Sequence, residues 1–214
     1  FANNFGYTAT YDDFGFLYSG STVFGTGYPT TTGAFQISFS SGTVDIGITK
    51  YDTTGTQMIY STYLGGDADE LPHSMVVNSS NELFIFGTTS SLNFPTTNGA
   101  YQTIFNGGTY YGVGGLGVTF NNGSDIFVSK LSASGGSLLS STYIGGSEND
   151  GLNIHVPINK NYADEVRGEI DIDKNNNVYI ATCTKSTDFP VTNSFQSVYN
   201  GDQEGCVFKM DNQL

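Results

Sequence analysis

Tyr60-Ser61-Thr62-Tyr63-Leu64-Gly65-Gly66 returns further along the chain as Ser140-Ser141-Thr142-Tyr143-Ile144-Gly145-Gly146. So close a recurrence marks an internal repeat, and the flanking sequence repeats with it. Asp45-Ile46-Gly47-Ile48-Thr49-Lys50 is matched by Asp125-Ile126-Phe127-Val128-Ser129-Lys130 and, more loosely, by Cys206-Val207-Phe208-Lys209. Tyr28-Pro29-Thr30-Thr31-Thr32-Gly33-Ala34-Phe35-Gln36 is matched by Phe94-Pro95-Thr96-Thr97-Asn98-Gly99-Ala100-Tyr101-Gln102 and by Phe189-Pro190-Val191-Thr192-Asn193-Ser194-Phe195-Gln196. A hairpin pattern, Met75–Asn78 then Leu83–Gly87, recurs as Glu169–Asp173 then Val178–Thr182, with a weaker copy around Tyr7–Tyr11 and Phe16–Gly20.

Each unit therefore reads as four short strands. In the second unit these are A (73–78), B (82–88), C (125–131) and D (138–144). Four antiparallel strands per repeat, with aromatic and glycine motifs at fixed offsets, predict an all-β chain of β-propeller blades. A β-sandwich is the alternative, but sandwiches do not repeat their turns this faithfully. The units fall at 1–66, 67–146 and 147–214, and the third stops before its strand D. Three blades, one incomplete, do not close a ring of the usual four to eight. The expectation is a segment of a larger propeller, or an open face covered by a partner.

Composition agrees with this. Glycine supplies 28 of 214 residues, about twice the usual share of roughly 7%. Charged residues are 13% and aromatics 14%, so the chain can anchor a core while remaining poor in helix formers. Seven basic against twenty acidic residues leave a net charge of −13. That balance opposes binding to nucleic acid or to an anionic membrane surface. No apolar run is long enough to span a bilayer as a helix. Low Lys with abundant Thr, Ser, Asn and Gly suits an exported bacterial surface or periplasmic protein.

The string Ser61-Thr62-Tyr63-Leu64-Gly65-Gly66, an A–B hairpin, and then Asn93-Phe94-Pro95-Thr96-Thr97 together resemble the bacterial SBBP-type β-propeller repeat family. The resemblance extends over nearly the whole chain. It implies a blade of a large propeller in an exported, Bacteroidota-type surface protein, with a connection to type IX secretion or gliding. It carries no catalytic motif. The third unit departs from the pattern, with Thr182 where Gly87 stands and its A strand after a long insertion.

Features shared by every unit read as packing, so function is expected where the units differ. The interval from Phe94 to Lys130 exceeds those from Tyr28 to Lys50 and from Phe189 to Lys209; its extra segment is 105–124, a B–C loop. The interval from Lys130 to Phe189 exceeds that from Lys50 to Phe94; its extra segment is 149–167, a D–A loop. In a four-strand meander these two kinds of loop emerge on the same rim. Phe105, Tyr110, Tyr111, Phe120, His155 and Tyr162 are accordingly the candidate partner-binding residues, since exposed aromatics anchor interfaces. Tolerated, mobile insertions are the competing reading.

Other motifs carry less. Gly112–Gly117 lacks the strand and helix that a dinucleotide loop requires. Asp171–Asn177 has alternating oxygens like a Ca²⁺ loop, without the Gly and Glu of that motif, and sits where a hairpin turn is expected. The acidic corners 67–70 and 148–150 read as solvated turns or, less favourably, Ca²⁺ ligands; no other cofactor is implied. His73 and His155 lack metal-ligand spacing. Cys183 ends strand B of the third unit and Cys206 begins its strand C, which is compatible with a disulfide across the B–C loop or with two buried thiols. The function expected is a non-enzymatic scaffold that binds a protein partner. A carbohydrate-binding adhesin is the alternative, and a propeller glycosidase or lyase comes third.

Overall fold

The computed structural model describes residues 3–114, 117–155 and 164–214. The first sheet is a meander of β1 (Asn3–Tyr11), β2 (Leu17–Phe24), β3 (Asp45–Tyr51) and β4 (Met58–Leu64), all antiparallel and in sequence order. The second repeats it with β5 (Glu70–Val77), β6 (Leu83–Thr89), β9 (Asp125–Leu131) and β10 (Leu138–Ile144). Between β6 and β9 the insertion adds a two-stranded ribbon, β7 (Tyr111–Gly112) with β8 (Thr119–Phe120). The third sheet holds β11 (Glu169–Ile172), β12 (Val178–Thr184) and β13 (Glu204–Met210), preceded by a short 3₁₀ turn at Asp164–Val166. The all-β class is therefore observed. Each sheet is an open meander, and none closes on itself. Among the described residues no helix is long and apolar enough to cross a membrane.

The sheets pack face to face, and strand alternation decides which residues meet. Tyr18, Ile46, Ile48 and Leu64 of the first sheet meet Leu83, Ile85, Phe127 and Leu131 of the second. The other face of the second sheet, through Phe84, Phe86, Ile126 and Val128, meets Val178 and Ile180 of the third. The second sheet is thus apolar on both faces, and every residue of β6 is buried. By contrast β13 alternates half-buried and exposed along its whole length. The first strands of successive sheets lie side by side, β5 being in contact with both β1 and β11.

Each unit uses the same small devices. A side-chain acceptor caps every first hairpin: Asp12 takes the amides of Phe14 and Phe16, Asn78 those of Ser80 and Glu82, and Asp173 those of Asn175 and Asn177. Asn81 and Asn176 then adopt φ of 61°, a conformation asparagine tolerates better than most residues. This turn occupies the oxygens of Asp173 that had suggested a Ca²⁺ loop. A lysine on the third strand lies over the aromatic directly across from it on the second, Lys50 over Tyr18 at 4.8 Å, Lys130 over Phe84 at 5.6 Å and Lys209 over Tyr179 at 5.2 Å. Such contacts give each ammonium an electrostatic partner on the ring face, from the buried Lys50 to the exposed Lys209.

Candidate functional site

The two insertions do not hang free; they build one platform. Val113, Val118 and Phe120 of the first pack with Leu152 and Val166 of the second, and with Leu71 of β5 beneath them. Asn149, fully buried, is the keystone. Its side-chain oxygen accepts from the amide of Ser124 at 2.9 Å, and its Nδ2 donates to the carbonyl of Thr109 at 2.9 Å. Asp69 ties the platform to the first sheet, accepting from the amides of Val44 at 3.1 Å and Thr119 at 2.8 Å. Gly108 lies so near the backbone of Asn149 that a side chain there would collide with it. Close backbone approach is one use of glycine that the composition of the insertion concealed.

The candidate residues separate on this platform. Tyr110 is exposed at 63%, and Tyr111 is half-buried against the platform core. Phe120 is fully buried and holds the platform together, which corrects the expectation of an exposed aromatic. Phe105 is also corrected. Its ring stands 5.8 Å from that of Tyr143, as Phe39 stands 6.1 Å from Tyr63, so it belongs to the repeat rather than to the insertion. His155 is half-buried, with its amide on the side chain of Gln203 at 3.2 Å. Tyr162 lies outside the described residues. The cysteines are separate thiols. Register puts Cys183 across from Gly205 and Cys206 across from Thr182, so the two side chains leave the sheet on opposite faces.

Beside the platform a cleft of about 1040 Å³ opens where β1, β5 and β11 converge, lined by Phe5, Tyr7, His73, Arg167, Glu169 and Thr182. Tyr7 donates from its hydroxyl to the carbonyl of Val166, closing the cleft from β1 to the second insertion at 3.1 Å. His73 is buried edge-on against Phe86, with Nε2 3.2 Å from the hydroxyl oxygen of Thr88. Burial depresses its pKa to about 3, so the imidazole is neutral at physiological pH. Arg167 is held by Asp164 at 2.9 Å. His73 and Arg167 line one cleft only through the convergence of distant strands, which no local pattern of the sequence reveals.

A second group of polar residues lies at the corners that follow the Gly-Gly pairs. Glu70 accepts from the amide of Gly66 and the hydroxyls of Thr89 and Ser91; Asp150 accepts from Gly146, Thr184 and Ser186 in the same way. Opposite them stand Asp45 and Asp125, which accept from the amides of Ser40 and Asn106. Burial raises all four: Asp45 and Asp125 to about 7, Asp150 to about 6, and Glu70 well above the ordinary carboxyl range. The arrangement is repeated at two successive corners, and most of its donors are the chain's own amides and hydroxyls. The chain matches no family model and no curated protein.

Proposed function

We propose that the chain is a non-enzymatic interaction scaffold of β-propeller type, from an exported bacterial protein, and that its insertion platform binds a protein partner. The observation that carries this reading is the fusion of two insertions from different sheets into one ordered surface with its own apolar core. A connection that served only as a link would need neither the ribbon β7–β8 nor the keystone Asn149. Support for the propeller comes from successive antiparallel meanders stacked face to face, with their first strands adjacent. Support for export comes from composition and from the repeat resemblance; support for a place at the secretion or gliding machinery of the outer membrane comes from the resemblance alone. The charge of −13 favours a basic or neutral partner.

Tyr110 is the test residue, because its ring is exposed whereas that of Phe120 is structural. Tyr110→Ala should leave the melting temperature unchanged and reduce capture of envelope proteins from the native host by about tenfold, the loss of a modest interface anchor. Unchanged capture would remove the platform from the interface. Binding to a glycan array that disappears in the same variant would favour the adhesin reading instead.

A further inference from the structure

Successive sheets are joined by the same corner. The amide of Glu70 donates to the carbonyl of Val44 at 3.2 Å, and that of Asp150 to the carbonyl of Ser124 at 2.7 Å. In each corner the acid that opens a third strand, Asp45 or Asp125, meets an acid of the next unit, Glu70 or Asp150. They meet beside the first glycine of the Gly-Gly pair. A side-chain carbon added at Gly65 would lie 2.5 Å from Oδ1 of Asp45 and 2.7 Å from Oε2 of Glu70. One added at Gly145 would lie 2.5 Å from Oδ1 of Asp125 and 2.9 Å from Oδ2 of Asp150. Two buried carboxyl groups thus flank one glycine, with no space for a side chain between them.

The two corners differ in two respects. Asp125 has donors on both oxygens: Asn106 and Gln102 on Oδ2, and the amide of Gly107 on Oδ1 at 2.9 Å. Asp45 has Ser40 and Gln36 on Oδ2, but its Oδ1 is buried without a hydrogen-bond partner. The second difference is charge. The neutral Asn149 accepts from the amide of Ser124, whereas in the first corner the acid Asp69 accepts from the amide of Val44. Asp69 also accepts from the amide of Thr119 in the ribbon at 2.8 Å. The first corner therefore gathers three acids, with Asp67 close by, and the phenols of Tyr63 and Tyr143 face the same group. The ion pairs among the described residues, Lys50 with Asp12 and Arg167 with Asp164, do not involve it.

A buried carboxylate oxygen with neither donor nor cation is costly. Oδ1 of Asp45 is closed to solvent, which leaves a proton as the partner that fits. Glu70 already has the donors Gly66, Thr89 and Ser91, so one proton serves the pair. Burial pushes Asp45 up to about 7, against the pull of the Ser40 amide and with the help of the Asp69 charge. We propose that this corner is a proton-operated joint. Asp45 carries one proton on Oδ1, toward Glu70, and its loss parts Val44–Asp45 from Asp69–Glu70. The joint is closed while the proton is held and loosens as pH rises through about 7. Opening weakens the ties of the first sheet to the second sheet and to the ribbon, because Glu70 and Asp69 make both. The second corner, with two acids and donors on every carboxyl oxygen, loosens less. The joint does not depend on what the platform binds.

The test is a carbon-13 NMR titration of the side-chain carboxyls, with amide hydrogen exchange at pH 5 and pH 8 corrected for intrinsic rates. The Asp45 carboxyl should titrate near 7, well above the ordinary range near 4. Protection of the Val44, Gly66 and Thr119 amides should fall about tenfold or more from pH 5 to pH 8, the equivalent of at least one pH unit of linkage. The matching amides of the second corner, Ser124 and Gly146, should lose less. Asp45→Asn keeps the shape of the protonated acid and offers an N–H in place of its O–H. This variant should retain at pH 8 the protection that the unaltered protein shows at pH 5. Titration of Asp45 near 4, or equal loss of protection at both corners, would overturn the proposal, and both are read on the unaltered protein. So would an undiminished loss of protection in Asp45→Asn.

Discussion

The buried carboxylates and His73 set opposite demands on pH. Asp45, Asp125, Asp150 and Glu70 all have raised folded-state values, so folding favours their protonated forms. Their contribution is fully present below the ordinary carboxyl range near 4. It is lost as pH rises through about 6 to 7. His73 works the other way. Its folded value, about 3, lies below the unfolded 6.5, so its contribution is present above 6.5 and declines as pH falls toward 3. Four groups oppose one, and the melting temperature should be higher at pH 5 than at pH 8. In His73→Phe, which keeps a ring against Phe86, the rise on acidification should be larger. A melting temperature that falls steadily from pH 8 to pH 5 would contradict the burial of these groups. None of this was legible in the sequence, where Asp45 and Asp125 are simply the acids that open a repeated strand.

At the scale of elements the repeat exposed most of the strands, because period-two alternation and turn residues recur at fixed offsets. It missed the start of β5. Glu70–Pro72 pair with Thr89–Gly87 before the register shifts between Pro72 and Ser74, and an acid followed by a proline reads as loop. It also misjudged the first insertion. Interval lengths alone put Phe105 at its beginning, although Gln102 to Phe105 repeats Gln36 to Phe39 at the same spacing. Phe120 was misjudged for a different reason: a Gly-rich segment has no periodicity to show which aromatic turns inward. Its burial gives a direct expectation. Phe120→Ala should destabilise the platform by about 3 kcal/mol or more, as buried aromatic truncations do. Limited proteolysis should then cut both insertions at once. Cleavage confined to 105–124 would show that the two do not share a core. The cysteine pair illustrates the limit of spacing arguments, since a register offset of one residue puts neighbouring thiols on opposite faces.

For the whole molecule, stacking order determines what each sheet can do. The second sheet is covered on both faces and contains a strand, β6, buried along its whole length. The third, with Val207 79% and Phe195 fully exposed, presents the surfaces that in the other units are covered. Phe35 and Tyr101 each donate an amide to the turn of the following unit, at Gly135 and Leu214, and Lys130 donates to Asn212 in the same direction at 2.8 Å. The same turn contacts therefore join the first unit to the second and the second to the third. The proposed function lies where this regularity is broken, at the platform, where two units carry insertions. Native-state hydrogen exchange across the chain tests this division most directly. Exchange should be slowest in β5, β6, β9 and β10, and the β7–β8 ribbon should be protected, including the Val113 amide bonded to Val118. Exchange of 105–124 at the rate of an open loop would contradict the platform on which the proposed function rests.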